Sequence, residues 1–231
     1  MVIGAGNHVL YPTSANVHGA FNQFFQTKMT ILNVTNTGYD IRAGFSTGAG
    51  EVSAKLIHIG PGESLTSDNI VDDVFGLSGG GAIDLDSRYD TRTDHLFLTN
   101  AVVYVDIGGG GRFSMAIQPA DFTGFVTPSR PAILVGVSVN GTTRTNVGCA
   151  SNSPNTQHLT AQAFFADGSA ASNVIGIDMG PYAWGQTAIT GGPFNNGTVL
   201  ITTNDPAGAV CYGTEVNNPT GDATFYLGIP Y

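Results

Sequence analysis

Four short segments of the 231-residue chain recur, in the same order, roughly 110–120 residues further on. Thr27-Lys28-Met29-Thr30-Ile31-Leu32-Asn33 resembles Thr145–Asn152 with one residue inserted, and Ile59-Gly60-Pro61 returns as Met179-Gly180-Pro181. Gly81–Leu85 returns as Gly197–Ile201, and Phe113–Pro119 as Phe225–Pro230. A common order at a nearly constant offset constrains the chain more than any single match does. It calls for one fold built twice, with copies at residues 8–125 and 126–231 and an N-terminal extension at residues 1–7.

The repeated unit reads as strands. Met29, Ile31 and Asn33 alternate with Thr30, Leu32 and Val34, and Asp40–Ser46 alternates polar with apolar residues, the period-2 pattern of a sheet with one wet face. Gly48-Ala49-Gly50 turns the chain into Val52–Ile59, and Gly60-Pro61-Gly62 ends that strand, since proline removes a ladder donor and glycine admits positive φ. Strong helix formers are scarce: the chain has two lysines, Lys28 and Lys55, and three glutamates, Glu51, Glu63 and Glu215. Turn signals at short, regular spacing indicate sandwiches. One helix is expected in the first copy, with Ser67 as cap, Asp68 at its positive end, Ile70, Val71, Val74 and Phe75 as its apolar stripe, and Gly76 as the stop. The second copy carries Gly185–Phe194 at that point, with Gly191-Gly192-Pro193, and is expected to be irregular there. The fold class is therefore all-β, two tandem antiparallel sandwiches arising from an internal duplication, with one short helical turn in the first.

The run Thr27–Asn33, followed by an alternating strand, Gly60-Pro61-Gly62-Glu63-Ser64-Leu65, Asp72-Asp73-Val74-Phe75-Gly76 and Gly80-Gly81-Ala82-Ile83, resembles the tandem Ig-like β-sandwich repeats of exported, mostly uncharacterised bacterial surface proteins. Those repeats carry an R-T-D-L-x-L-x-N strand, a P-G-x-S/T turn, a D-x-x-x-x-L-F-G helical turn and a G-A-L-x-V strand. Arg144-Thr145-Asn146-Val147-Gly148 fits the start of the second repeat. The resemblance runs from about His8 onward and brings no catalytic residues. It implies an extracellular architecture of sandwiches used as modules. Cys149 and the missing helical turn in the second copy depart from it.

Composition narrows the partners. Eight basic and 17 acidic residues give a formal charge of −9 with no basic cluster, which excludes a phosphate backbone as ligand. No run of 18 apolar residues is present, so no helix is expected to span a bilayer. The start, Met1–Gly6, lacks the basic and apolar regions of a signal peptide. The Thr/Ser/Asn/Gly-rich, lysine-poor surface nonetheless suits an exported protein, so an extracellular or cell-surface location with the signal already removed is expected.

Each chemical candidate has a plainer structural counterpart. Gly44-Phe45-Ser46-Thr47-Gly48 matches the nucleophile-elbow pattern but precedes another strand where the motif requires a helix. The histidines, His8, His18, His58, His95 and His158, show no metal-ligand spacing. Asp84, Asp86 and Asp90 offer hard oxygen ligands for Ca²⁺, the one cofactor the sequence suggests, although Arg88 and Arg92 would neutralise the same acids. Cys149 and Cys211 fall in two strands of the second copy, either neighbours or facing each other across the core, and either bridged or two buried thiols. Asn33-Val34-Thr35, Asn140-Gly141-Thr142 and Asn196-Gly197-Thr198 are sequons that occur readily in such a composition. An isopeptide crosslink would require Lys28 or Lys55 to be buried beside an acceptor.

No catalytic residues emerge, and a non-enzymatic role is expected. The first reading is a structural subunit of an extracellular assembly, a pilus-like filament or surface layer, whose partner is another copy of itself. Val2, Ile3, Val9, Leu10 and Tyr11 would complete a neighbour's sheet by strand addition. The alternative is an adhesion or carbohydrate-binding module using Tyr89, Tyr182 and Trp184.

Overall fold

The computed structural model describes residues 3–19, 23–88, 95–109, 111–120, 125–151 and 153–231. The chain is an all-β protein that divides into two compact units, Met1–Thr47 with Glu51–Phe122 and Gly48–Gly50 with Thr123–Tyr231. The first contains β1 (Gly4–Gly6), β2 (His8–His18), β3 (Phe24–Asn33), β4 (Tyr39–Thr47), β5 (Gly50–Ile59), β6 (Ser64–Ser67), the helix α1 (Ile70–Asp73), β7 (Gly79–Asp86), β8 (Phe97–Gly108) and β9 (Gly111–Ile117). The second contains β10 (Ala132–Val139), β11 (Thr143–Ser151), β12 (Gln157–Phe164), β13 (Ile175–Met179), β14 (Trp184–Ala188), β15 (Phe194–Thr203), β16 (Ala209–Asn217), β17 (Ala223–Leu227) and β18 (Ile229–Pro230).

The duplication is explicit in the strand order. The first unit runs β2-β7-β4-β5 and β6-β3-β8-β9, joined into one nine-stranded sheet where Asn16–His18 of β2 pair with Phe24–Gln26 of β3 and completed by β1 on β8; the second runs β10-β15-β12-β13 and β14-β11-β16-β17 as two sheets. Every strand of one series has its counterpart in the other, with antiparallel pairing. The four recurring sequence segments sit on counterpart elements: β3 and β11, the ends of β5 and β13, β7 and β15, β9 and β17. After β9 the chain returns to the first strand, Ala120 bridging Leu10; after β17, β18 does the same through Ile229 and Ile133.

Alternation puts one face of each strand into the core. Met29, Ile31 and Asn33 of β3 and Tyr39, Ile41, Ala43 and Phe45 of β4 are buried, as the sequence pattern requires. In the second unit Leu134, Leu159, Ile177, Val199 and Ile201 from one sheet meet Val147, Cys149 and Cys211 from the other. A buried threonine hydroxyl ties the two strand series together in both units. Thr27 Oγ1 donates to Ala15 O at 3.1 Å and Thr145 Oγ1 to Ser138 O at 2.6 Å, linking the second strand to the first.

The recurring Gly81 and Gly197 are explained by close approach. A Cβ on Gly197 would lie 2.7 Å from Phe194 Cδ2 and 2.9 Å from Phe164 O. One on Gly81 would lie 2.6 Å from Phe45 Cζ and would also clash with the Ser46 carbonyl. An aromatic ring and a neighbouring carbonyl occupy the side-chain position in both copies.

Two local expectations are corrected. The helix is a single turn with Asn69, not Ser67, at its N-cap position, because Ser67 is the last residue of β6 and pairs with Met29. Ser67 Oγ instead donates to Asp73 Oδ2 at 2.6 Å and accepts from the Asn69 N–H at 3.1 Å. Gly76, at φ +67°, does end the turn, its N–H donating to Asp72 O at 2.8 Å while Leu77 N–H reaches Val71 O at 3.2 Å. In the second unit, Gly185–Ala188 is not irregular: it belongs to β14, which pairs with β11 as β6 does with β3. The Gly191-Gly192-Pro193 run that suggested irregular backbone lies after it.

Gly81→Ala is expected to destabilise the protein by about 1–3 kcal/mol through overpacking. Gly141→Ala, where no atom lies within 4 Å of the new Cβ, is expected to be nearly neutral. Denaturant midpoints of the two variants check this.

Candidate functional site

β7 carries Asp84 and Asp86 on either side of the buried Leu85, so both carboxylates leave the core on one face. There they meet cations. Asp84 Oδ1 lies 2.7 Å from His8 Nε2, and Asp84 Oδ2 4.0 Å from Arg42 Nη1, Arg42 being paired also with Glu51. Asp86 takes a fork from Arg88, Nε at 2.9 Å and Nη2 at 2.7 Å, and Arg88 Nη2 reaches His8 Nδ1 at 2.6 Å. A guanidinium only donates, so His8 accepts at Nδ1 and carries its proton at Nε2, toward Asp84. Burial pushes Asp86 up, but the Arg88 guanidinium and backbone N–H outweigh it and hold this carboxyl below its usual range. Of the three expected Ca²⁺ ligands, Asp84 and Asp86 are thus engaged by His8, Arg42 and Arg88, and Asp90 lies outside the described residues. Among the described residues no group of three or more His, Cys, Asp or Glu side chains is placed to hold a metal.

Cys149 and Cys211 are joined by a disulfide. They stand directly opposite in the β11–β16 ladder, Cα atoms 4.0 Å apart, as neighbours in one sheet and not across the core. Both are buried. The counterpart pair in the first unit is Ile31 opposite Thr99, so a covalent bond stands where the other copy relies on packing. The 62-residue separation makes the bridge worth about 4 kcal/mol on the loop-entropy model.

The remaining sequence candidates resolve into structure. Ser46 of the elbow-like motif pairs with Ala82 inside a sheet, and β4 turns directly into β5. Asn33 is buried: its Nδ2 donates to Thr37 O, Ile59 O and Gly60 O, and its Oδ1 accepts from the Thr35 N–H at 2.8 Å. Asn140 Oδ1 accepts in the same way from the Thr142 N–H at 2.9 Å, so at both places the N-x-T triplet is a turn device. Lys28 forms an exposed ion pair with Asp68, 2.6 Å, not a buried crosslink. A cross-strand pair that the sequence did not reveal occurs in both units: Asp40 with His58 at 2.8 Å, and, with the residue types exchanged, His158 with Asp178 at 2.7 Å. Superposing the two repeats residue by residue would have exposed it.

Of the aromatic trio, Tyr89 lies outside the described residues. Trp184 is half-buried and donates its indole N–H to Tyr212 Oη at 3.0 Å; that hydroxyl donates in turn to Gln186 Oε1 at 2.9 Å. Tyr182 is 47% exposed and sits at φ +52°. Its turn, closed by Ala183 N–H to Gly180 O at 3.2 Å, is the counterpart of the turn closed by Glu63 N–H to Gly60 O, where Gly62 holds φ +67°. A bulky side chain therefore occupies a left-handed position that the first copy gives to glycine.

The N-terminal self-assembly residues are distributed differently from the expectation. Val2 lies outside the described residues and Ile3 is exposed, but Val9, Leu10 and Tyr11 are not a free extension. They are β2 residues paired with Leu85, Asp84 and Ile83, and all three are buried. Burial pushes the Tyr11 phenol up to about 12, against a smaller opposing effect of Thr99. Gly4–Gly6 pairs with Thr99, Leu98 and Phe97 of the same chain's β8. Among the described residues the longest strand at a sheet edge is β5. It ends its sheet, runs ten residues, and exposes Val52 (45%) and Leu56 (64%).

No protein-family model matches the chain, and no curated protein matches it.

Tyr182→Gly is expected to raise stability by about 1 kcal/mol, since glycine adopts this backbone without the left-handed penalty. Equilibrium unfolding of the variant checks this; a loss of stability would show that Tyr182 packing outweighs its strain.

Proposed function

We propose that the chain is a structural building block of an extracellular assembly, a pilus-like filament or surface layer, in which copies associate through their sheet edges. The observation that carries this is the long β5 edge with its exposed apolar side chains. Monomeric sheet proteins guard such edges with lysine, proline or bulges; β5 has no proline and one lysine, Lys55, between its exposed apolar residues. The buried disulfide supports an oxidising compartment, where cystine persists. The resemblance of the repeats to those of exported bacterial surface proteins supports the same setting. Strand addition by the N-terminus would involve Gly4–Gly6, a three-residue strand; releasing Val9–Tyr11 would open the core.

A second reading, an adhesion or carbohydrate-binding module, is favoured by one observation. The exposed Tyr182 is held in a strained conformation, and strain of this kind concentrates at functional sites.

Light scattering of the oxidised protein over a concentration series, followed by negative-stain microscopy, tests the first reading. Mass rising with concentration to regular particles or filaments is expected. A monomer at every concentration overturns it and leaves the second, which a glycan array then addresses.

A further inference from the structure

Resting on the self-assembly reading, we propose that β5 is the specific contact, pairing antiparallel with β5 of a second copy about a two-fold axis at Ala54. The partner follows from the strand's own sequence. β5 is the longest edge strand described: β9 has seven residues, β13, β14 and β17 five each, β6 four and β18 two. It contains no proline and a single lysine, Lys55. Val52, Ala54 and Leu56 occupy alternate positions and are exposed.

Antiparallel self-pairing centred on Ala54 sets Val52 opposite Leu56 of the second copy, Leu56 opposite Val52, and Ala54 opposite itself. Cross-strand apolar pairs of this kind are the unit of sheet stabilisation. Lys55 then faces Ser53 of the second copy, with its Glu51 on the diagonal, within reach of a long side chain. A shift of two residues either way is poorer, leaving Leu56 opposite Gly50 or Val52 opposite His58. A one-residue slip turns the apolar positions to the wrong face. The contact is isologous and closes on itself, so it makes a dimer; further growth would use other edges. Because each chain carries a formal charge of −9, copies repel at long range and added salt strengthens the dimer.

Cysteine crosslinking tests the register directly, since the two native cysteines are consumed in the disulfide. Ala54→Cys places two thiols opposite each other across the axis. Val135→Cys, exposed on β10 and away from β5, reports random collision. In a glutathione redox buffer, Ala54→Cys is expected to form disulfide dimers at least about ten-fold faster than Val135→Cys, the effective-concentration advantage of a preformed pair. Adding Leu56→Lys is expected to remove that advantage while leaving the folded circular-dichroism spectrum intact. Equal rates for Ala54→Cys and Val135→Cys overturn the β5 contact. If the wild-type protein assembles all the same, the assembly reading stands and another edge carries it. Fast Ala54→Cys crosslinking with a wild type that stops at the dimer supports the contact and removes the filament.

Discussion

Each unit is organised around one long antiparallel ladder. β3 and β8 pair over nine residues, Phe25–Asn33 against Val105–Phe97, and β11 and β16 pair over nine, Thr143–Ser151 against Asn217–Ala209. The shorter strands depend on it: β6 and β9 attach to either side of the first ladder, β14 and β17 to either side of the second. The threonine hydroxyls of Thr27 and Thr145 anchor the ladder to β2 and β10 from a fully buried position, where a lost hydrogen bond would leave a backbone carbonyl unpaired. The copies differ in how they secure the ladder two pairs from its end. One uses Ile31 beside Thr99, whose hydroxyl donates to Thr30 O; the other uses the Cys149–Cys211 bond.

The duplication and the positions of the strands were legible because period-2 burial and turn chemistry are local. Gly60-Pro61-Gly62 and the pattern of β3 and β4 follow from residues within a few positions of one another. The Gly81 and Gly197 match was visible as a repetition, yet its cause, a ring and a carbonyl against the Cα, belongs to tertiary packing. The helix cap was misplaced because Ser67 has two competing uses, and pairing with β3 prevails over capping. Gly185–Ala188 misled because the Gly191-Gly192-Pro193 run was extended back over it, whereas a partner strand is in place for Trp184–Ala188 and Gly185 lies close under Met179 and Ile177.

The candidate chemistry was less legible, because it depends on which charges meet. Asp84 and Asp86 alternate as metal ligands would, but His8 and Arg42, from distant segments, reach Asp84 and share its charge. Val9, Leu10 and Tyr11 read equally well as an exposed apolar strand or as the first strand of a core, and only pairing with β7 decides between them. The edge character of β5 was hidden for the same reason. An edge is defined by the absence of a neighbour, and a sequence states what a strand can bury, not which side of it remains open.

Under the proposed assembly, copies meet along β5, the longest edge strand among the described residues. Amide hydrogen exchange measured at low and high protein concentration tests this most directly. The account predicts that the β3–β8 and β11–β16 ladders exchange slowly at both concentrations, and that the amides of Glu51–Ile57 become protected as concentration rises. Exchange of Glu51–Ile57 at the same rate in both samples would contradict it.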